Sequence, residues 1–207
     1  HCISSAASDV YKRQIHNKLC GELKLPSNLI YIGRVTFEGN NFSGELMLPS
    51  KLISIGTEAF RDCSKLSGTL TFPKEMVAIP QSCFSGCSSL EKLIFPENIE
   101  TIQEKAFSGC SGIQSIVCEA LIPPYVAPGA FDGVPKDKFV LEVPELALAA
   151  YQTAPGWNEF KQIGVHHELM CQPSAIKTLN KEHLQKIVLV AEGDWEVLSL
   201  PDWCSLS

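Results

Sequence analysis

The 207-residue sequence has no long hydrophobic run and no block of basic residues. Its densest apolar stretch, Ile187 to Ala191, spans five residues, whereas a helix that crosses a bilayer needs about 18 or more. Lysine and arginine number 17 against 23 acidic residues, which gives a net charge of −6. This balance disfavours nucleic acid and acidic membrane surfaces as partners. We therefore expect no transmembrane segment and no nucleic-acid partner.

The sequence also lacks the motifs that mark common catalytic and nucleotide-binding sites. It contains no G-x-S-x-G, H-E-x-x-H, P-loop or G-x-G-x-x-G pattern, so hydrolase and phosphoryl-transfer chemistry have no support. His166, His167 and Cys171 offer zinc donors without a fourth ligand at suitable spacing. The alternating acidic residues at 192–196 are too few for a calcium loop. We expect a polar linker and a solvated turn there, with no metal, no cofactor and no enzyme activity.

What the sequence does contain is an internal repeat of 23 or 24 residues. Five phenylalanines recur at intervals of 23, 24, 23 and 24: Phe37, Phe60, Phe84, Phe107 and Phe131. We call such a series of residues at equivalent repeat positions a column. Other columns recur at the same intervals: Pro26, Pro49, Pro73 and Pro96; Leu23, Leu46, Leu70, Leu93 and Ile116; Ile32, Ile55, Ile79 and Ile102. Columns in phase indicate a repeat protein, because a single unit this small cannot bury its own apolar face and stacked units share one core.

Each repeat combines a short strand with a second apolar segment. Residues 45–48 alternate in polarity, which predicts a strand with Leu46 and Leu48 inward. Pro49 ends that strand because proline donates no hydrogen bond to a sheet. We expect a right-handed solenoid of four to five coils, in which like side chains stack and phenylalanine lies on phenylalanine.

Cysteine usage does not follow a disulfide framework. The nine cysteines are an odd number. One small residue follows each of the first four column phenylalanines by three positions: Asn40, Cys63, Cys87 and Cys110. Adjacent coils would lie about 4.8 Å apart, near bridging distance, so disulfides between coils are the alternative that we weigh. We expect free, buried and inert thiols. Cys83 occupies the repeat position that Ala59 and Ala106 hold in other repeats, which disfavours a metal site formed by Cys83 and Cys87.

The pattern AF-x-x-C-x-x-L resembles the BspA-type leucine-rich repeat of bacterial surface proteins. It occurs as Ala59-Phe60…Cys63…Leu66 and as Ala106-Phe107…Cys110…Ile113. The resemblance covers about residues 15–118. It implies a cell-surface or secreted bacterial protein, although no signal peptide is visible in this sequence.

Residues 119–165 are similar to the terminal unit that closes such arrays. This unit would have a last strand, a short helix at 145–154 and a plug made of Tyr151, Trp157 and Phe160. The end of a solenoid exposes apolar columns and needs a cap. The alternative is that the aromatic cluster forms a platform on which a sugar stacks.

The repeat pattern is absent from Gln172 onward. Ile187–Glu192 predicts a strand, and Trp195–Trp203 predicts its hairpin partner. The W-x-V…P-x-W spacing resembles the opening strands of a BACON domain, the Bacteroidetes-associated module named for presumed carbohydrate binding. The resemblance implies the start of a β-sandwich and a glycan as a partner of this segment.

Residues 1–14 share no period with the repeats and resemble translated adapter sequence, with an ordinary frayed terminus as the alternative. The predicted domains are therefore an adapter-derived tail at 1–14, leucine-rich repeats at 15–118, a C-terminal repeat cap at 119–165, and a linker with a truncated BACON-like β segment at 166–207. The expected fold class is an α/β-type, β-rich leucine-rich repeat solenoid with a 23/24-residue period and a C-terminal capping unit, followed by a truncated β-sandwich segment.

Between the inward leucines, the strands present outward positions that predict a binding strip. The central positions are Lys24, Met47, Thr71, Ile94 and Val117, and the flanking positions are Glu22, Glu45, Thr69, Lys92 and Ser115. Three of the five central residues are apolar and none is aromatic, which favours protein over sugar at this face. A neighbouring part of the parent protein resting on the strip is the alternative.

The function that we predict is non-enzymatic adhesion or binding at the cell surface, with a protein or host-matrix ligand on the strip. One alternative is a structural spacer that presents a neighbouring carbohydrate-binding module or glycan-degrading domain. Another is part of a glycan-degrading enzyme whose catalytic domain lies outside this chain.

Overall fold

The structure, a computed structural model, describes residues 19–166. The predicted adapter-derived tail lies outside the described residues. The same holds for the predicted BACON-like strands at 187–203 and, except for His166, for the predicted linker.

The described part consists of short strands and one short helix. The strands are β1 (Cys20–Gly21), β2 (Tyr31–Ile32), β3 (Asn41–Phe42), β4 (Gly44–Glu45), β5 (Ser54–Ile55), β6 (Leu66–Thr71), β7 (Ala78–Ile79), β8 (Leu90–Phe95), β9 (Thr101–Ile102), β10 (Ser115–Cys118), β11 (Tyr125–Val126), β12 (Val140–Val143) and β13 (Gln162–Val165). A 3-10 helix at Glu145–Ala147 leads directly into helix α1 (Leu148–Thr153).

The strands pair only with strands of adjacent coils, and these pairs are parallel. One sheet has six strands in the order β4-β6-β8-β10-β12-β13, and we call it the long-strand sheet. The other side of each coil carries β2, β5, β7, β9 or β11, which we call the short-strand side. The described residues therefore form a parallel β-solenoid of about six turns, which confirms the predicted solenoid but exceeds the predicted four to five coils.

The interior is a file of stacked phenylalanine rings, as the repeat spacing predicts. The ring centroids of Phe37, Phe60, Phe84, Phe107 and Phe131 are separated in turn by 5.2, 5.3, 5.7 and 5.6 Å. The last three pairs are parallel to within 8°, and all five side chains are buried. A coil that shares an aromatic stack with both neighbours has its position along the solenoid fixed by side-chain packing.

The cysteine column hydrogen-bonds each coil to the one before it. The Sγ atoms of Cys63, Cys87 and Cys110 donate to the carbonyl oxygens of the preceding coils' phenylalanines at 3.0–3.1 Å. In the first repeat, Asn40 Nδ2 donates to the Phe37 carbonyl oxygen at 2.9 Å. Asparagine and cysteine are both small and both supply a donor at this position, but Asn40 donates within its own coil.

The cysteines of the described residues are free thiols, which confirms that prediction, and only Cys20 among them is exposed. Burial raises the pKa of Cys63 to about 11 and that of Cys110 to about 12, and it raises the pKa of Cys87 as well. A thiol needs its ionised form to react. These buried thiols are consequently protonated and unreactive at neutral pH.

The extra residue of a 24-residue repeat is accommodated within β6. Leu66 and Leu70 are four residues apart, whereas the corresponding Leu90 and Leu93 are three apart. The pairing of β6 with β8 shifts register between Gly68 and Thr69. Gly68 has a φ of +73°, a conformation that glycine adopts without the penalty that a side chain brings.

The C-terminal end of the stack is covered by aromatic side chains. Trp157 and Tyr151 are fully buried, and the Trp157 ring lies 5.7 Å from the last ring of the phenylalanine file, Phe131. Trp157 Nε1 donates to the carbonyl oxygen of Pro124 at 2.8 Å. Since neither ring presents a face to solvent, these two residues cannot form the sugar-stacking platform that was the alternative.

Candidate interaction surfaces

The structure brings most of the predicted strip residues together on adjacent long strands. Thr71 pairs with Ile94, and Ile94 pairs with Val117. Lys92 pairs with Thr69 on one side and with Ser115 on the other. Alternation along these strands therefore places the predicted residues in two rows across β6, β8 and β10.

The strip is more polar than the sequence predicts. Met47 is 68% exposed and Thr71 and Glu45 are exposed, whereas Thr69, Lys92 and Ile94 are partly buried. Of the three apolar central residues, only Met47 is exposed.

The prediction that Val117 is exposed is wrong, because it is only 2% accessible. It lies outside the interior core, between Ile94 on β8 and Glu142 on β12. Glu142 Oε2 is 2.8 Å from His166 Nδ1. A short β-branched side chain between longer neighbours loses its contact with water.

Lys24 lies outside the strands of the six-stranded sheet. It follows β1, which pairs with β3 outside the six-stranded sheet. Its ammonium group lies 3.5 Å from Glu22 Oε2, and both side chains are largely exposed. The part of the strip that lies on the six-stranded sheet therefore starts at Glu45 on β4, with Met47 two residues later.

Sequence reasoning missed a second surface, on the short-strand side. Of the eleven large hydrophobic residues that are exposed within residues 19–166, seven lie in the short strands or in the segments that lead into them. We call this set the apolar ridge: Ile30, Tyr31, Ile53, Val77, Leu121, Ile122 and Tyr125. On the side of the long-strand sheet, the large hydrophobic residues at comparable exposure are Val140 on β12 and Met47, two residues after β4.

The sequence held a signal for this ridge. Ile30, Ile53 and Val77 are spaced 23 and 24 residues apart, and each directly follows an apolar residue whose side chain points into the stack. They are 56, 54 and 47% exposed. The repeat spacing alone does not distinguish an outward column from an inward one.

The loops between long and short strands form a groove of about 650 Å³ that shares Val77, Leu121 and Ile122 with the ridge, and we call it the loop groove. Its lining comes from three successive coils: Lys74, Glu75, Val77, Glu97, Asn98, Ile99, Glu100, Glu119, Leu121, Ile122, Pro123 and Pro124. Four carboxylates against one ammonium group give these walls an acidic character. Within residues 19–166, no ion pair involves Glu75, Glu97 or Glu100.

The described residues hold no cluster of three or more histidine, cysteine, aspartate or glutamate side chains placed to bind a metal ion. Over the same part of the chain, no helix has the length and apolar character that a membrane span requires. The strip, the ridge and the loop groove are the candidate interaction surfaces that we consider within residues 19–166.

Comparison with known proteins shows the family. The BspA type Leucine rich repeat region matches residues 10–133 in six copies. A crystal structure of a leucine rich cell surface protein from Faecalibacterium prausnitzii A2-165 is similar at 24% sequence identity with a TM-score of 0.46, over 71% of this chain and 32% of that one. This chain thus spans about a third of that protein's length. No curated protein matches the chain.

The family match ends at residue 133, so the BACON resemblance of the C-terminal segment stays a prediction. The match extends over more than half of the sequence and includes the coils whose phenylalanine and cysteine columns are described above. The chain therefore belongs to the family of BspA-type leucine-rich repeat proteins.

Proposed function

We propose that the chain is a non-enzymatic binding module of a cell-surface or secreted bacterial protein. It recognises a protein or host-matrix ligand through the outward face of the long-strand sheet. The observation that supports this function is a continuous surface across adjacent coils, with Met47 and Thr71 exposed and the charged Glu45 and Lys92 beside them.

A stacked interior suits such a surface. The phenylalanine file and the thiol hydrogen bonds hold neighbouring coils in register, so the outward side chains are presented on a fixed scaffold. Preorganised surfaces lose little conformational freedom when a partner binds. Outward residues such as Met47 and Thr71 are also absent from the core, so they can change with little effect on folding.

The alternative is a structural spacer that presents a neighbouring domain. Five rings stacked at 5.2–5.7 Å make a stiff unit, which favours this role as well. In that proposal residues 119–165 close the stack and residues 166–207 lead into a BACON-like, carbohydrate-binding segment. A spacer needs no ligand on its own faces.

The two proposals predict different results for substitutions on the strip. The 207-residue chain is passed over a panel of immobilised, purified host extracellular-matrix proteins, and binding is measured by surface plasmon resonance. If the strip binds, Met47→Glu and Thr71→Glu each weaken capture by about tenfold or more, since hot-spot residues carry most of the binding energy. Leu146→Glu, at a residue 91% exposed in the cap, is the matched control and leaves capture unchanged.

Equal capture by the wild type and both strip variants would place recognition elsewhere on the molecule. Capture of no protein in the panel would favour the spacer. Circular dichroism verifies that each variant is folded. Ile94 is the less useful strip position because its side chain is half-buried and a charge there would also destabilise the sheet.

A further inference from the structure

We propose that the loop groove binds an extended, basic peptide segment of a partner protein, with one or more aliphatic side chains next to lysine or arginine. The groove is a separate site from the strip on the long-strand sheet, because Met47, Thr71 and the other strip residues do not line it. The proposal therefore does not depend on the proposed function of the strip.

The shape of the groove suits a short extended segment. Three successive coils supply its walls, and its volume of about 650 Å³ falls within the range of about 300–1,000 Å³ that is typical of binding clefts. Adjacent parallel strands lie about 4.8 Å apart. The three coils therefore present wall residues at regular steps, which an extended chain can follow.

The apolar part of the groove lining comes mainly from the loop between β10 and β11. Ile122 is 82% exposed and Leu121 is 59% exposed, and both border the groove. Val77 is 47% exposed and borders it from a neighbouring part of the stack. Clustered aliphatic side chains at this exposure are typical of sites that a partner covers. They account for the aliphatic residues expected in the peptide.

The charged component comes from the loops that follow β6 and β8. Glu75, Glu97 and Glu100 are exposed and have no ion-pair partner within residues 19–166. Lys74 is the single cation among the lining residues. Charge complementarity therefore selects a basic partner. A second copy of this chain is disfavoured because its net charge is −6.

The placement of the carboxylates also favours a peptide over a metal ion. Glu75, Glu97 and Glu119 come from three different coils. They do not converge, since residues 19–166 contain no group of three such side chains that could hold a metal. Separated carboxylates match separate lysine or arginine side chains along an extended segment.

Selection from a phage library of short random peptides tests this chemistry. The library is panned against the 207-residue chain, and enriched sequences are synthesised and their affinity measured by fluorescence polarisation. Enriched peptides should combine lysine or arginine with leucine, isoleucine or valine. Ile122→Ser should weaken their binding by about tenfold or more, whereas Leu146→Ser, the matched exposed control, and Met47→Glu should not change it.

The charges are tested separately. The double variant Glu97→Gln with Glu100→Gln should weaken binding by about fivefold and reduce its dependence on salt between about 50 mM and about 300 mM NaCl, because exposed charges are screened. The proposal is overturned if neutral or acidic peptides are enriched or if Ile122→Ser binds as well as the wild type. It is also overturned if binding requires Ca²⁺, or if Ile122→Ser abolishes self-association of the chain, which would make the groove a contact between copies.

Discussion

Replacing Trp157 with alanine should destabilise the fold by about 3–5 kcal/mol, because it empties a large site at the end of the stack. The Trp157 side chain is fully buried, and its ring packs against the rings of Phe95, Phe131 and Tyr151. The variant also removes the donor that satisfies the buried Pro124 carbonyl oxygen, which costs additional free energy. Urea denaturation followed by circular dichroism measures the change.

Two further variants show what the Trp157 result means. Trp157→Phe keeps most of the packing but lacks the Nε1 donor, so it should cost less than Trp157→Ala. Tyr125→Ala removes an aromatic side chain that is 64% exposed and should change the free energy of unfolding by about 0.5 kcal/mol or less. A loss below about 1 kcal/mol for Trp157→Ala would contradict its role as the cap of the stack.

The second large effect should be a loss of stability in alkaline solution. Burial raises the pKa of five thiols above their ordinary value: Cys63, Cys83, Cys87, Cys110 and Cys118. The ordinary value is 9.0, and the pKa rises to about 11 for Cys63 and Cys118 and to about 12 for Cys110. Above pH 9 the unfolded chain therefore releases these protons while the folded chain retains them.

Because the folded chain retains these protons, the free energy of unfolding decreases as the pH rises above 9. The stabilisation is fully present below the unfolded pKa of 9.0 and is lost as the pH rises toward the folded values near 11 and 12. Each thiol contributes about 1.4 kcal/mol per pH unit in that window, so the five together should lower the free energy of unfolding by several kcal/mol at pH 10. Denaturant titrations at pH 8, 9 and 10 in reducing buffer would measure it.

Removal of one thiol tests the assignment to cysteine. Cys87→Ala should be less stable at neutral pH because it loses packing and the hydrogen bond to Phe60. Above pH 9, however, its free energy of unfolding should fall less steeply with pH, because about one proton fewer is released on unfolding. Cys20→Ala is the control, since that side chain is exposed in the folded protein. Equal slopes for the wild type and Cys87→Ala would contradict the assignment.

The interior could be predicted from sequence because every coil repeats it. Phe60, Phe84 and Phe107 occupy equivalent positions in successive coils, and each packs on the ring of the preceding coil. Their regular spacing in the sequence therefore predicts their stacking in the structure. The buried thiols follow from the same argument. The number of coils was underestimated because the first and last coils lack some of the columns that identify the central ones.

The surfaces were harder to predict because exposure depends on neighbours in the adjacent coils. Val117 alternates with buried residues as an outward residue should, yet the side chains on β8 and β12 cover it. The apolar ridge keeps the repeat spacing at Ile53 and Val77 but has Glu100 at the next coil. The loop groove depends on Leu121 and Ile122, in a segment where the repeat pattern breaks, and no column predicts their position.

The stacking of like side chains on successive coils underlies every surface described above, and a double-mutant cycle tests it most directly. Phe60 and Phe84 lie on adjacent coils with ring centroids 5.3 Å apart, so Phe60→Leu and Phe84→Leu should be coupled by about 0.5–1.5 kcal/mol in the free energy of unfolding. Phe37→Leu and Phe107→Leu, at rings separated by two others of the file, should be additive within about 0.5 kcal/mol. Coupling in the first pair only is the predicted result, and additive effects in both pairs would contradict the stacked solenoid.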